Sequence, residues 1–133
     1  MRLLISKDAV EQFYDRMDIV KDFLFYCKSS LEIHHPYDVY FVYNREQYKI
    51  KTAAVCRHET KKIFIYVKGR AFSDVLRSLA HEMVHVKQHE RHLKVKHEFL
   101  HFHSKNEDEA NMMGVSLFNA YAEVKGNDLI FDN

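Results

Sequence analysis

The stretch His81-Glu82-Met83-Val84-His85 decides how this chain is read. In a helix, positions i and i+4 lie one above the other on the same face, so His81 and His85 can present two imidazoles to one ion. Glu82 points to the flank of that pair, where its carboxylate can reach a water on the ion without binding the ion. This set calls for Zn2+, with His81 and His85 as ligands and Glu82 as general base.

The surroundings favour a helix. Gly69-Arg70 punctuates the chain, Ser73 reads as an N-cap and Asp74 follows in the first turn. From there to about Leu93, Leu76, Leu79, Ala80 and Met83 form an apolar stripe. His81, His85, Gln88 and His92 form a polar stripe beside it. The pattern occurs again at His97-Glu98-Phe99-Leu100-His101. That copy follows Lys94-Val95-Lys96 without a visible cap and reads as part of a polar connection over 94–105, so the first copy is preferred.

A hydrolytic zinc site takes three protein ligands and keeps one position open. Gln88 and Arg91 exclude the arrangement that needs a Gly and a His at those two positions. The preferred third ligand is Glu107, 22 residues beyond His85, a separation that allows a helix end, a loop and a return. Ala110, one turn on, would let two helices approach. Asn111 shares the Glu107 face and could accept a ligand histidine's ring N–H. Glu109 is the competing carboxylate, but Asn106 with Glu109 resembles a capping box. The histidines His97, His101 and His103 also compete for the third position.

Upstream, Val10, Phe13, Tyr14, Met17, Val20, Leu24, Cys27 and Leu31 recur at three- and four-residue steps. They predict one helix over 8–31, ended near Pro36. Three stretches have strand character, 37–43, 48–58 and 62–68, the last two joined as a hairpin through Glu59-Thr60-Lys61. A final helix is expected over 106–124, with Asn106 as N-cap and Met113, Leu117, Phe118 and Tyr121 facing inward. The fold class is therefore α+β: an N-terminal helix, a small three-stranded, mostly antiparallel sheet, and two further helices, in a single domain over 1–133.

Apolar residues make up 47% and aromatics 14% of the chain, a composition that folds rather than stays disordered. The net charge of +1 gives no bulk reason to expect nucleic acid or membrane as a partner. The N-terminal apolar run is too short for a leader or a spanning helix. Two cysteines, Cys27 and Cys56, with no export signal favour reduced thiols and a cytoplasmic setting. One local excess of positive charge lies between Lys87 and Lys105. It could meet nucleic-acid phosphate, although a solvated basic face is the simpler reading.

The run Leu79-Ala80-His81-Glu82-Met83-Val84-His85-Val86-Lys87-Gln88, followed by Glu107-x-x-Ala110-Asn111, resembles the gluzincin branch of zinc metallopeptidases. It is similar to the small ImmA/IrrE-type and SprT-like zincins. The resemblance implies a zincin-like fold with an active-site helix and a glutamate helix, and a peptide or protein substrate. Residue by residue it makes His81 and His85 ligands, Glu82 the base, Glu107 the third ligand and Asn111 its companion. SprT-like proteins take a histidine as third ligand, which would move that role to His97, His101 or His103. A Tyr, His or Arg would assist the oxyanion, with Tyr121, His58 and Arg57 as candidates. The competing function is a non-catalytic metal-binding or partner-binding module.

Overall fold

The structure is a computed structural model that describes residues 1–95, 103–126 and 130, the side chains of 94, 95, 103 and 104 excepted. Among these residues it is α+β, with four α-helices and a four-stranded mixed sheet. The order is β1 (Arg2–Ile5), α1 (Lys7–Gln12), α2 (Met17–Ser30), β2 (Asp38–Val42), β3 (Ala54–Arg57), β4 (Lys62–Tyr66), α3 (Phe72–Val95) and α4 (His103–Lys125).

The sheet runs β1-β2-β4-β3. Strand β2 pairs in parallel with β1, Arg2 opposite Asp38 and Ile5 opposite Phe41, and in parallel with β4, Val39 opposite Ile63. Only β3 and β4 are antiparallel, closing the expected hairpin with Arg57 opposite Lys62. The expected three-stranded, mostly antiparallel sheet is thus corrected to four strands with two parallel pairings. Parallel partners need a long crossover, and here α1 and α2 supply it between β1 and β2. The bidentate pairing of Arg2 with Asp38, at 3.0 and 2.7 Å, ties the first strand down.

Other boundaries also move. The expected helix over 8–31 is two helices separated by a 3-10 turn at Tyr14–Arg16. Phe13, with φ −120° and ψ 29°, leaves the helical path and buries its ring 5.3 Å from Phe72. The expected strand over 48–58 shortens to Ala54–Arg57. Glu46–Tyr48 forms a 3-10 turn, and Lys49 takes a left-handed φ of 55° that breaks any strand there. Helix α3 starts at Phe72, so Ser73 lies inside it, buried, rather than at its cap.

One face of the sheet carries the main core, where Val39, Phe41, Ile63, Ile65 and Val67 join Phe23 and Cys27 of α2 and Leu76, Leu79 and Met83 of α3. The other face carries a small cluster of Val42, Ile50 and Phe64 flanked by Tyr40, Tyr48 and Tyr66. Tyr121 of α4 packs edge-on to Phe23, 4.9 Å between centroids, and donates to Asp22 Oδ2 at 2.7 Å. Met113, expected inside, is 36% exposed; the buried stripe of α4 is Ala110, Gly114, Phe118, Tyr121 and Ala122. No helix among the described residues is long and apolar enough to cross a membrane.

Helices α3 and α4 approach closely because small residues line the contact. Ala80 and Ala110 are fully buried, and a Cβ at Gly114 would stand 3.2 Å from both N and Cα of His81. Those atoms are helix backbone and cannot turn aside. Gly114→Val is therefore expected to cost about 1–3 kcal/mol, as overpacking does. It should also weaken metal binding, because it pushes α4 away from the histidine helix. Urea unfolding and a zinc titration of that variant check this, and wild-type values in both would remove the close-approach argument.

Candidate metal centre

Midway along α3, the apolar stripe turns Leu79, Ala80 and Met83 into the core and leaves His81 and His85 on the flank that meets α4. Their rings stand edge to face, 4.8 Å between centroids, with the two Nε2 atoms 3.1 Å apart. Glu107, one turn into α4, brings Oε1 to 2.7 Å from His85 Nε2 and Oε2 to 3.3 Å from His81 Nε2. The three residues form a group that could hold a metal ion, with one ligand atom from each within 4.8 Å of the others.

The competing carboxylate is engaged elsewhere. Glu109 accepts from Gln88 Nε2 at 2.9 Å and pairs with Arg91. Burial works against its ionisation, but those hydrogen bonds hold its carboxyl below the ordinary range. The expected capping box of Asn106 with Glu109 is absent, because α4 begins three residues earlier, at His103. Asn106 is instead a buried position inside the helix. The second motif copy, including His97 and His101, lies outside the described residues, as does the side chain of His103.

Asn111, one turn beyond Glu107, lines the larger of two cavities together with His81. Burial, followed by the neighbouring His85, lowers the His81 pKa, while Glu107 and Asn111 oppose that shift. His81 is thus biased toward the neutral, ligating form.

Glu82 is 7% exposed and borders two cavities. The larger, about 690 Å³, is lined by Arg77, Ser78, His81, Glu107, Ala110 and Asn111 among others. The smaller, about 330 Å³, is lined by Val55, Cys56, His58, His85, Asn106 and Glu107. Ala54 of β3 touches both. Burial, then the nearby Glu107 carboxylate, pushes the Glu82 carboxyl up to about 8. A carboxylate that binds its proton so tightly is a capable acceptor.

The three oxyanion candidates separate cleanly. Tyr121 is committed to Asp22, and Lys125 lies 3.0 Å from the same carboxylate. Arg57 donates to the Tyr48 carbonyl at 2.6 Å and stands over Phe64 on the other face of the sheet. His58 lines the smaller cavity, together with His85 and Glu107. It is held by the Tyr37 hydroxyl at 2.7 Å from its Nδ1 and stacks on His89 with centroids 4.2 Å apart. Burial first, then His89 and His85, pushes it down to about 4, so it is neutral at pH 7.

Two features carry no clear signal in the sequence. Gln88 is fully buried and bonds His85, Asn106 and Glu109. Its only trace is a polar residue on a stripe that turns inward. Glu90, 4% exposed, accepts from the backbone N–H of His34 and His35 at 2.8 and 2.6 Å and anchors the segment after α2 to α3. Of the basic run from Lys87, two charges have local partners: Lys87 donates to the Glu32 carbonyl, and Arg91 pairs with Glu109. Both cysteines are free thiols, Cys27 buried and Cys56 half-buried. Compared with family models, curated proteins and solved structures, the chain finds no match.

Proposed function

We propose that this chain is a zinc-dependent peptidase of the gluzincin kind, with a zincin-like arrangement of active-site helix α3 and glutamate helix α4. The observation that carries the reading is the convergence of His81, His85 and Glu107 beside cavities that also receive Glu82. A structural zinc site closes all four positions with protein ligands, usually cysteines. Among the described residues three candidate ligands meet beside a cavity, and a buried carboxylate that takes no part in that set borders the same cavity.

Zinc bound there would supply a Lewis acid and an acidified water. Glu82 would take a proton from a water attacking the scissile carbonyl and pass it to the amine as the C–N bond breaks. The neutral His58 ring stands on the side of the smaller cavity, where a donor could meet the developing oxyanion. Among the described residues β3 ends the sheet, and it borders both cavities, so its main chain would be available to an extended peptide.

The test is cleavage of unfolded proteins and peptides by the zinc-loaded chain, read by mass spectrometry. New termini that vanish with a chelator and return with zinc are expected. No cleavage across a broad panel by a protein shown to hold zinc would turn the reading to a non-catalytic module.

A further inference from the structure

We infer that Gln88 is a positioning residue that selects which nitrogen of His85 is offered to the metal and fastens the segment carrying Glu107. The inference rests on the metal centre of the proposed function and is independent of peptidase activity.

Gln88 is fully buried in α3, three residues after His85. One end of its side-chain amide lies 2.8 Å from the main-chain oxygen of Asn106 and 2.9 Å from Glu109 Oε1. The first of these can only accept a hydrogen bond, and so can an ionised carboxylate. The end facing them is therefore the NH2 group, and the amide has one orientation rather than two. Its Oε1 then faces His85 Nδ1 at 2.8 Å and can only accept. Nδ1 must carry the hydrogen. Nε2, 3.1 Å from His81 Nε2 and 2.7 Å from Glu107 Oε1, is then the nitrogen that can give its lone pair to an ion where these groups converge, donating to Glu107 when no ion is bound and the ring is protonated.

The same amide reaches across to α4. Asn106 immediately precedes Glu107, so the bond to its carbonyl holds the turn of α4 that carries the third ligand. Glu109 is held in turn by Gln88 and Arg91, both on α3. One side chain thus orients a ligand on its own helix and locates the ligand on the next. Partners of this kind change metal affinity by about 10–100-fold when removed. The two histidines are held differently: His81 meets Glu107 of α4, and His85 is held in addition from its own helix by Gln88.

Two variants separate the two tasks. Gln88→Leu removes acceptor and donors at similar size. Gln88→Glu keeps an acceptor for His85 Nδ1–H and removes both donors. Zinc affinity is measured by competition with a chromophoric chelator, and the His85 tautomer in the metal-free protein by 15N chemical shifts. Wild type is expected to show hydrogen on Nδ1. Gln88→Leu should lose that preference and bind zinc about 10–100-fold more weakly. Gln88→Glu should keep the tautomer and still lose affinity. A merely structural role would lower thermal stability without moving the tautomer. Hydrogen on Nε2 with none on Nδ1 in the wild type, or zinc affinity within about twofold of wild type in both variants, overturns the inference. If Gln88→Leu does not fold, the wild-type tautomer and Gln88→Glu decide. A wild type that binds no zinc would refute the metal centre, and the tautomer measurement would still decide this point.

Discussion

Glu82→Gln is expected to abolish peptide cleavage, leave zinc binding in place and make the metal-free protein more stable. The first two outcomes follow from its position, because it borders the cavities without belonging to the ligand set. Losing a general base typically costs about 10²–10⁴-fold in rate. The third follows from burial. The Glu82 carboxyl is pushed from 4.5 to about 8 in the folded chain. Folded protein therefore holds this proton where the unfolded chain has released it, and stability falls as pH rises from about 4.5 towards 8. Removing the charge should recover roughly 1–3 kcal/mol at pH 7, a gain of several degrees in melting temperature. The gain should shrink towards pH 4, where the carboxyl is protonated in both states. Thermal melts of both proteins in chelator across that range make the check. A stability difference independent of pH would mean that the ionised carboxylate carries no burial cost.

Replacing a ligand should have the opposite signature. His81→Ala or Glu107→Ala is expected to lower zinc affinity by more than the roughly 100-fold associated with outer partners. Either should also end zinc-dependent stabilisation. For the wild type, ion present at about a thousand times its dissociation constant adds about 4 kcal/mol. Elemental analysis and melts with and without zinc read both effects. Glu109→Ala should retain zinc much better than Glu107→Ala, since Glu109 faces Gln88 and Arg91. Zinc retained by Glu107→Ala and lost by Glu109→Ala would reverse the assignment.

The site is more legible in the sequence than the sheet. His81, Glu82 and His85 lie within five residues on one helix, so helical geometry alone relates them. Glu107 can be sought because a third ligand is required, and Ala110 marks a close helix contact that the structure contains. Strand β1 is four residues without alternation, and its partner β2 begins 36 residues later. Parallel pairing across such a distance leaves no local trace. The break at Phe13 involves neither proline nor glycine; a ring drawn into a tertiary contact with Phe72 causes it, and periodicity cannot register that. Gln88 is visible on the polar stripe, but its partners lie on α4, and only the packing of α3 against α4 reveals them.

The brevity of β3 bears on how a substrate would be chosen. The strand spans four residues, and β4 occupies one of its edges. Backbone groups point alternately to the two sides of a strand, so the other edge offers the N–H and C=O of about two residues. At about 1 kcal/mol per net hydrogen bond, such a grip is weak. A peptide laid there would arrive and leave readily, and its residence would depend on side chains entering the two cavities. Loose capture of this sort leaves binding energy to be expressed at the transition state rather than in the resting complex. The peptidase proposed above would then be tolerant of sequence and sparing in its hold on any single chain.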